Sequence, residues 1–398
     1  MKAGWEVKAL GDAFQTATGS TPPKARKDFY GNDVPLVKPP ELIDNLVSDA
    51  VDGLTSEGRK VARIAPAGSI LVSCIGNLGK IGLAARNLAF NQQINAIFPN
   101  NTKAISEFMF YQVLSPQFKS QLEALATGTT VPIVNKSRFN SITVNLPPLA
   151  EQKRIVSILD EAFEGLDRAR ENAEANLKSA RELFESGLDA VIADAGKDCI
   201  EYSLSDLCVV GDGNHSSKYP KKSEMVAVGV PFIRSTNIQK GSLDTSDLLF
   251  ISPEKHAQLK KGHLKTGDVL FTNRGEIGKV AIVPNTLNDA NLNSQVAWLR
   301  CLAGLDEHFL FYFLQSSKMK RHYLNTQSGT GLQQFTIKML KSVMLLAPPI
   351  ERQQVAMQKL NRLNVQFKAM ENSFVTKLQD IADLRQSLLQ KAFAGELT

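Results

Sequence analysis

Two stretches carry the residue types of a phosphate cradle, Gly76-Asn-Leu-Gly-Lys80 and Gly275-Glu-Ile-Gly-Lys279. Glycines let a backbone wrap an anion, and a lysine supplies counter-charge. The spacing is too short for a nucleotide P-loop, and Ile81 and Val280 stand where a magnesium-binding Ser or Thr is required. A turn between two strands is the better reading. Gly329-Thr-Gly331 is a lone G-x-G without the following helix of a dinucleotide site. The five histidines (His215, His256, His263, His308, His322) show no metal-ligand spacing, so each reads as a lone surface histidine. No G-x-S-x-G nucleophile elbow occurs. Every Pro-Pro pair precedes Lys, Glu, Leu or Ile, not the aromatic residue with which amino-methyltransferases hold a flipped base. An enzyme in its own right is disfavoured; a hydrolase or methyltransferase with an unrecognised site stays as an alternative.

The remaining polar chemistry suits a polyanion. Net charge is +6 with a pI near 9.0, and its distribution is uneven. Ten acidic and six basic residues between Glu151 and Ala193 leave that segment at −4, so the rest of the chain carries +10. The basic excess therefore lies in the irregular halves, an electrostatic footprint that permits an anionic partner. A mean hydropathy of −0.14 and the absence of a long apolar run argue against a membrane span. The opening MKAGWEVKALGD has no apolar core of the kind a signal peptide needs. Four scattered cysteines (Cys74, Cys199, Cys208, Cys301) without a C-x-x-C pair read as small apolar residues in a reducing cytoplasm.

The elements that position these residues occur twice. Leu10-Gly-Asp12 is echoed by Leu204-Ser-Asp206, Gly19 by Gly213, and Val34-Pro-Leu-Val-Lys38 by Val230-Pro-Phe-Ile-Arg234. GSILVSCIGNLGKIG from Gly68 aligns with GDVLFTNRGEIGKVA from Gly267, Phe110-Tyr111 with Phe311-Tyr312, and Thr127-Gly-Thr129 with Ser328-Gly-Thr330. LPPLAEQKRIVSILD from Leu146 and LAPPIERQQVAMQKL from Leu346 each open a long amphipathic run, with Pro147 and Pro348 201 residues apart. The same order in both halves means a duplication. Residues 69–73 and 268–272 are strand candidates, followed by turns into 81–84 and 280–283, and 107–114 and 307–314 are helical. After Pro148 apolar residues fall at Ile155, Leu159, Ala162, Leu166, Ala169, Ala173, Leu177, Ala180 and Phe184. After Pro349 they fall at Val355, Leu360, Leu363, Phe367, Met370, Phe374, Leu378, Ile381 and Leu388. These are narrow coiled-coil seams, one alanine-rich and one bulky, and small-against-large packing of two antiparallel helices is expected. A helix of some forty residues reaches roughly 60 Å.

PPLAEQKRIVSILD (Pro147–Asp160) followed by an acidic helix resembles the central conserved region of type I restriction–modification specificity subunits. LRQSLLQKAFAGELT (Leu384–Thr398) resembles their C-terminus, and WEVKALGD (Trp5–Asp12) and YSLSDL (Tyr202–Leu207) their domain starts. The resemblance implies an α+β fold of two pseudo-repeated α/β target recognition domains (1–147 and 196–348) separated by two long antiparallel coiled-coil helices (148–195 and 349–398). It implies a non-catalytic chain that reads a bipartite site in double-stranded DNA and docks two modification subunits. Those subunits would carry S-adenosylmethionine and methylate adenine; motor and nuclease subunits using ATP and Mg²⁺ would complete a restriction enzyme. No cofactor is expected on this chain. The alternative is a coiled-coil scaffold without DNA binding.

Readout of bases favours Arg or Lys on guanine and Asn or Gln on adenine. Repeated positions of those types give the candidate DNA-binding set: Ser20, Thr21, Lys24, Asn77, Lys80, Thr127, Gly128 and Thr129 in the first half. Asn214, His215, Ser216, Lys218, Arg234, Arg274, Lys279, Ser328, Gly329 and Thr330 are their counterparts in the second. The Gly-Thr loops would place backbone N–H groups on phosphates, although a plain tight turn fits them as well. Glu151, Gln152, Arg154, Arg352 and Gln353 at the helix starts are the candidate partner-docking residues. Glu151 is replaced by Arg352 in the second copy while Gln152 and Gln353 correspond, so the two docking sites differ chemically.

Overall fold

The computed structural model describes residues 4–215, 218–324 and 334–397. It comprises two compact units: Met1–Glu174 with Thr376–Thr398, and Ala175–Val375. In the first, a five-stranded sheet is built from β1 (Thr16–Thr18), β2 (Asn45–Val47), β3 (Ile70–Ser73), β4 (Ile81–Ala84) and β5 (Ile94–Ile97) in the order β1-β5-β3-β4-β2. Pairing is antiparallel except between β2 and β4. In the second, β6 (Cys208–Asp212), β7 (Val269–Thr272), β8 (Val280–Ile282) and β9 (Val296–Cys301) form an antiparallel sheet of order β6-β9-β7-β8. β3 and β7 are buried along their whole length, which is why ILVS and VLFT show no polar alternation. A smaller four-stranded sheet accompanies each large one: Tyr30–Val37 with three two- or three-residue strands, and Val230–Ile233 likewise.

Each domain closes on itself. Glu6–Ala9 pairs antiparallel with Thr143–Leu146, and Glu201–Ser203 with Met344–Leu346. Pro147-Pro148 follow directly, and Pro348-Pro349 after Ala347, ending a strand they cannot extend just before each helix begins. The two helices are α1 (Leu149–Ala195) and α2 (Ile350–Ala394). The first unit's core takes Ile155, Leu159 and Phe163 from the start of α1 and Leu389, Ala392 and Phe393 from the end of α2. The second unit's core takes Leu188 and Ala195 from the end of α1 and Ala356, Met357 and Leu360 from the start of α2.

Within each unit the helix segments run antiparallel. Asp167 accepts from Arg385 at 2.8 Å in the first. In the second, numbers fall on α2 as they rise on α1: Arg181 with Glu371 (2.8 Å), the Phe184 ring stacked on Phe367 (4.7 Å, 23°), and Lys359 with Asp194 (3.1 Å). The expected small-against-large seam is met at one place and missed at another. A Cβ on Gly187 would lie 2.8 Å from a Leu363 methyl, but Phe184 meets another aromatic ring. Val355 is also off the seam, 53% exposed, because five residues separate it from Leu360 and place it about 140° around the helix; Ala356 takes its position.

The repeated Phe-Tyr pair has a matching physical cause. The Tyr111 hydroxyl donates to Asp160 and the Tyr312 hydroxyl to Asn361 (3.1 Å), fastening each domain to the first turns of the helix that follows it. Burial and the carboxylate together push the Tyr111 phenol well above its ordinary range, so it stays a donor. Among the described residues no helix is long and apolar enough to cross a membrane.

Candidate nucleic-acid interface

Antiparallel order brings the candidate loops of the first unit to one end of its large sheet. β1 runs into Ser20 and Thr21, β3 into the Gly76–Lys80 turn, and residues 91–93 lead into β5. Thr21 Oγ1 donates to Gln92 Oε1 (2.8 Å), and the Cys74 N–H donates to the Gln93 carbonyl (2.8 Å). The 127–133 loop joins them: Ile133 bridges both Ile75 and Thr127, and the Gly76 N–H donates to Pro132 O (2.9 Å). Asn77, Lys24 and Thr127–Thr129 are exposed; Ser20, Thr21 and Lys80 are half-buried. Gly19 is required here because a Cβ would lie 2.1 Å from the Asn91 carbonyl oxygen.

The turn itself is built identically in both units. The Ser73 hydroxyl donates to Asn77 O (2.6 Å) and accepts from the Lys80 N–H (2.9 Å); Thr272 does the same with Glu276 O and the Lys279 N–H. The glycines hold φ of +76° and +73° at Gly76 and Gly79, and +73° and +99° at Gly275 and Gly278, which side chains rarely tolerate. The sequence expectation of a turn between strands is met. These hydrogen bonds leave the turn's backbone occupied and present residues 77 and 80, or 274, 276 and 279, outward.

In the second unit the same sheet end gathers Asn214, His215, Arg274 and the 293–295 loop. Gly213 approaches the Asn293 carbonyl so closely that a Cβ would sit 1.7 Å from it. Arg274 Nη1 is 3.4 Å from His215 Nδ1, and His215 Nε2 is 3.1 Å from Asp212 Oδ2. Burial, then the Arg274 guanidinium, hold the His215 imidazole below its usual range. It is therefore neutral at pH 7, with Nε2–H toward Asp212 and Nδ1 facing Arg274. Two further candidates already have carboxylate partners: Arg234 Nη2 donates to Asp247 (2.8 Å), and Lys279 pairs with Glu276. Such exposed pairs are weak and readily exchanged for phosphate oxygens. Lys218 is exposed. Ser216, Ser328, Gly329 and Thr330 lie outside the described residues.

The helix starts depart from expectation. Gln152 and Gln353, assigned to partner docking, are fully buried (0% exposed). Gln152 Oε1 accepts from the Ile105 N–H (3.0 Å), and Nε2 donates to Lys103 O (2.9 Å) and Pro147 O (2.8 Å). Gln353 repeats this with the Asp306 N–H (2.8 Å), Gly304 O (2.7 Å) and Pro348 O (2.8 Å). An amide with its donors and acceptor spent inside cannot greet a partner; it pins the helix start to the domain. A polar residue in the first turn of an amphipathic helix reads as surface, and two of its three partners lie 47 to 49 residues away. Arg154 is exposed and Glu151 half-buried, while Arg352 donates to the Lys197 carbonyl (2.9 Å).

Two copies of the type I restriction modification DNA specificity domain match this sequence, at residues 2–177 and 197–373. The chain belongs to the type I restriction–modification specificity family. The specificity chain is 24% identical to the MjaIX specificity subunit of Methanocaldococcus jannaschii, over 99% of this chain and 93% of that one. It is 24% identical to the EcoKI specificity subunit of Escherichia coli K12, over 99% and 89%. A 35% identical match to the HindI specificity subunit of Haemophilus influenzae spans 40% of this chain and 36% of that one. In fold it is similar to a chain from a study of complex assembly and conformational transition of the type I R-M system (TM-score 0.79, 21% identity, covering 100% and 99%). The HsdS subunit from Thermoanaerobacter tengcongensis is a more distant match (TM-score 0.53, 21% identity, 100% and 98%).

Proposed function

We propose that the specificity chain reads a bipartite site in double-stranded DNA, one half with each loop cluster, and carries no chemistry of its own. The observation that carries this reading is the repetition of one construction at two sheet ends. In both units the same Ser/Thr-braced turn stands beside the same glycine-dependent loop with a shared lysine (Lys80, Lys279), yet the other residues presented differ: Thr21 and Asn77 in one, His215, Arg274 and Glu276 in the other. Shared scaffold with changed presented residues is what two readers of different sequences need. Modification subunits dock near the helix starts through Glu151, Arg154 and Arg352, and S-adenosylmethionine, ATP and Mg²⁺ belong to partner subunits in the cytoplasm. Restriction subunits would complete the assembly.

The test is protection of DNA by the purified chain with its modification subunit. Two short protected blocks with an unread interval are expected, with affinity falling linearly in log salt as phosphate contacts release counterions. One continuous block, or binding indifferent to salt, would overturn the reading; the latter outcome favours a scaffold. A finer expectation concerns Arg274→Ala. It should cost about 1–3 kcal/mol of discrimination at one base pair of one half-site. Asn77→Ala should act on the other half-site only, measured by binding to a library of single-base variants.

A further inference from the structure

Two of the histidines that spacing left as lone surface residues meet in the second unit. His256, on the helix Pro253–Gln258, is 8% exposed, and its ring lies 4.3 Å from that of His263. Asp289 faces both: its Oδ1 is 3.4 Å from His256 Nε2 and 3.9 Å from His263 Nδ1. The three ligand atoms lie within 4.8 Å of one another. We propose that His256 Nε2, His263 Nδ1 and Asp289 Oδ1 form a binding site for a divalent transition metal, zinc by its ligand chemistry, with the fourth position open to water.

Geometry and proton placement carry this. Bonds of about 2.0–2.2 Å to nitrogen and oxygen give a tetrahedron whose edges are about 3.4 Å. Of the three edges, Asp289–His256 has that length, Asp289–His263 needs to close by half an ångström, and His256–His263 lies within 4.8 Å. His263 Nε2 contacts Leu259 O at 2.6 Å, an acceptor that fixes its proton there and leaves the Nδ1 lone pair facing Asp289. A ligating histidine holds its second nitrogen in this way. His256 Nδ1 faces the buried Asn291 amide nitrogen at 3.5 Å; with Nε2 on a metal, Nδ1 carries a proton and that amide turns to accept it, giving up the Leu292 N–H (3.0 Å) that its oxygen takes in the metal-free chain. The backbone holds the three together: His263 bridges Asn291, and the Asp289 N–H donates to Leu264 O (2.9 Å). Asp289 is held at φ +64°, an uncommon conformation for a residue other than glycine.

The site belongs to one domain alone. His256 stands four residues after N-cap Ser252, as Arg59 stands after N-cap Thr55. Asn291 pairs with Phe232 as Ala89 pairs with Leu36, which places His263 opposite Ile64 and Asp289 opposite Asn87. Arg59, Ile64 and Asn87 make no metal-ligand set. The ion would tie the loop after Pro253–Gln258 to the segment before Asn291, a staple the first domain does without.

The test uses the full chain, stripped with chelator and titrated with Zn²⁺ by calorimetry, with bound zinc counted by mass spectrometry. One zinc per chain is expected, with at least tenfold weaker binding in His263→Ala and in Asp289→Asn. Both positions are partly exposed, and Asn tolerates the left-handed backbone at 289. Co²⁺ should give the absorption of a tetrahedral rather than an octahedral ion, and the variants should lose it. His308→Ala, at the other histidine–carboxylate cluster, should leave stoichiometry unchanged. No zinc retained by the unaltered chain, or binding unaltered by His263→Ala and Asp289→Asn, overturns the proposal.

Discussion

Gln353→Ala is expected to destabilise the second unit by about 3–5 kcal/mol. The substitution leaves the Asp306 N–H and the carbonyls of Gly304 and Pro348 without their partner in a position closed to water. Each buried group so stranded costs about 1–3 kcal/mol, and the three are not fully additive because the loop relaxes. Gln353→Glu should be no better. It keeps an acceptor for Asp306 but turns a carboxylate oxygen on two carbonyls. A chain with two compact units is not a two-state system, so one melting temperature would blur the effect. Hydrogen exchange locates it: amides around 304–306 and 350–360 should lose protection while those around 103–105 keep theirs. Gln152→Ala should give the mirror result. Equal loss in both units after either substitution would show that the amides do something other than pin their own helix.

The second large effect concerns the interval between half-sites. If the helices set that interval, a matched insertion of seven residues in α1 and α2, next to Glu174 and Val375, should change it without changing the bases read. Seven residues add about 10.5 Å and return nearly the same helix face, which keeps each unit's antiparallel pairing intact. That rise is about a third of a DNA turn of about 34 Å. The original site should therefore lose methylation, and sites with a longer interval should gain it, as methylome sequencing of a host expressing the variant with its modification subunit would report. Insertion in one helix alone should instead damage folding, because pairs such as Arg181–Glu371 or Asp167–Arg385 fall out of register. Altered half-site bases after the matched insertion would contradict that role of the helices.

Much of the architecture was legible because duplication prints it twice. The Gly-x-x-Gly-Lys turns, the Phe-Tyr pairs and the Pro-Pro helix starts all recur, and each serves one structural purpose in both units. The small sheets were not legible, since strands of two or three residues such as Ile64–Ala65 are too short to show a period. Spacing rules failed at Gln152 and Gln353 because most of their partners are remote in sequence, and passed over His256 and His263 because a seven-residue step is no metal-ligand spacing and Asp289 comes 26 residues later. For the candidate reading residues, the structure adds which charges are already engaged, Arg234 by Asp247 and Lys279 by Glu276.

The discontinuous first unit has a consequence for biosynthesis. Phe108, Ile155 and Phe163 leave the ribosome long before Leu389, Ala392 and Phe393, which complete their core. At about 5–20 residues per second that interval is roughly 10–45 s. During it the nascent first domain presents an apolar flank, and only the last helical turns cover it. A ribosome that stops before Leu389 releases a chain whose flank stays bare, open to chaperones and proteases. The last turns of α2 thus act as a quality check on a domain made more than two hundred residues earlier.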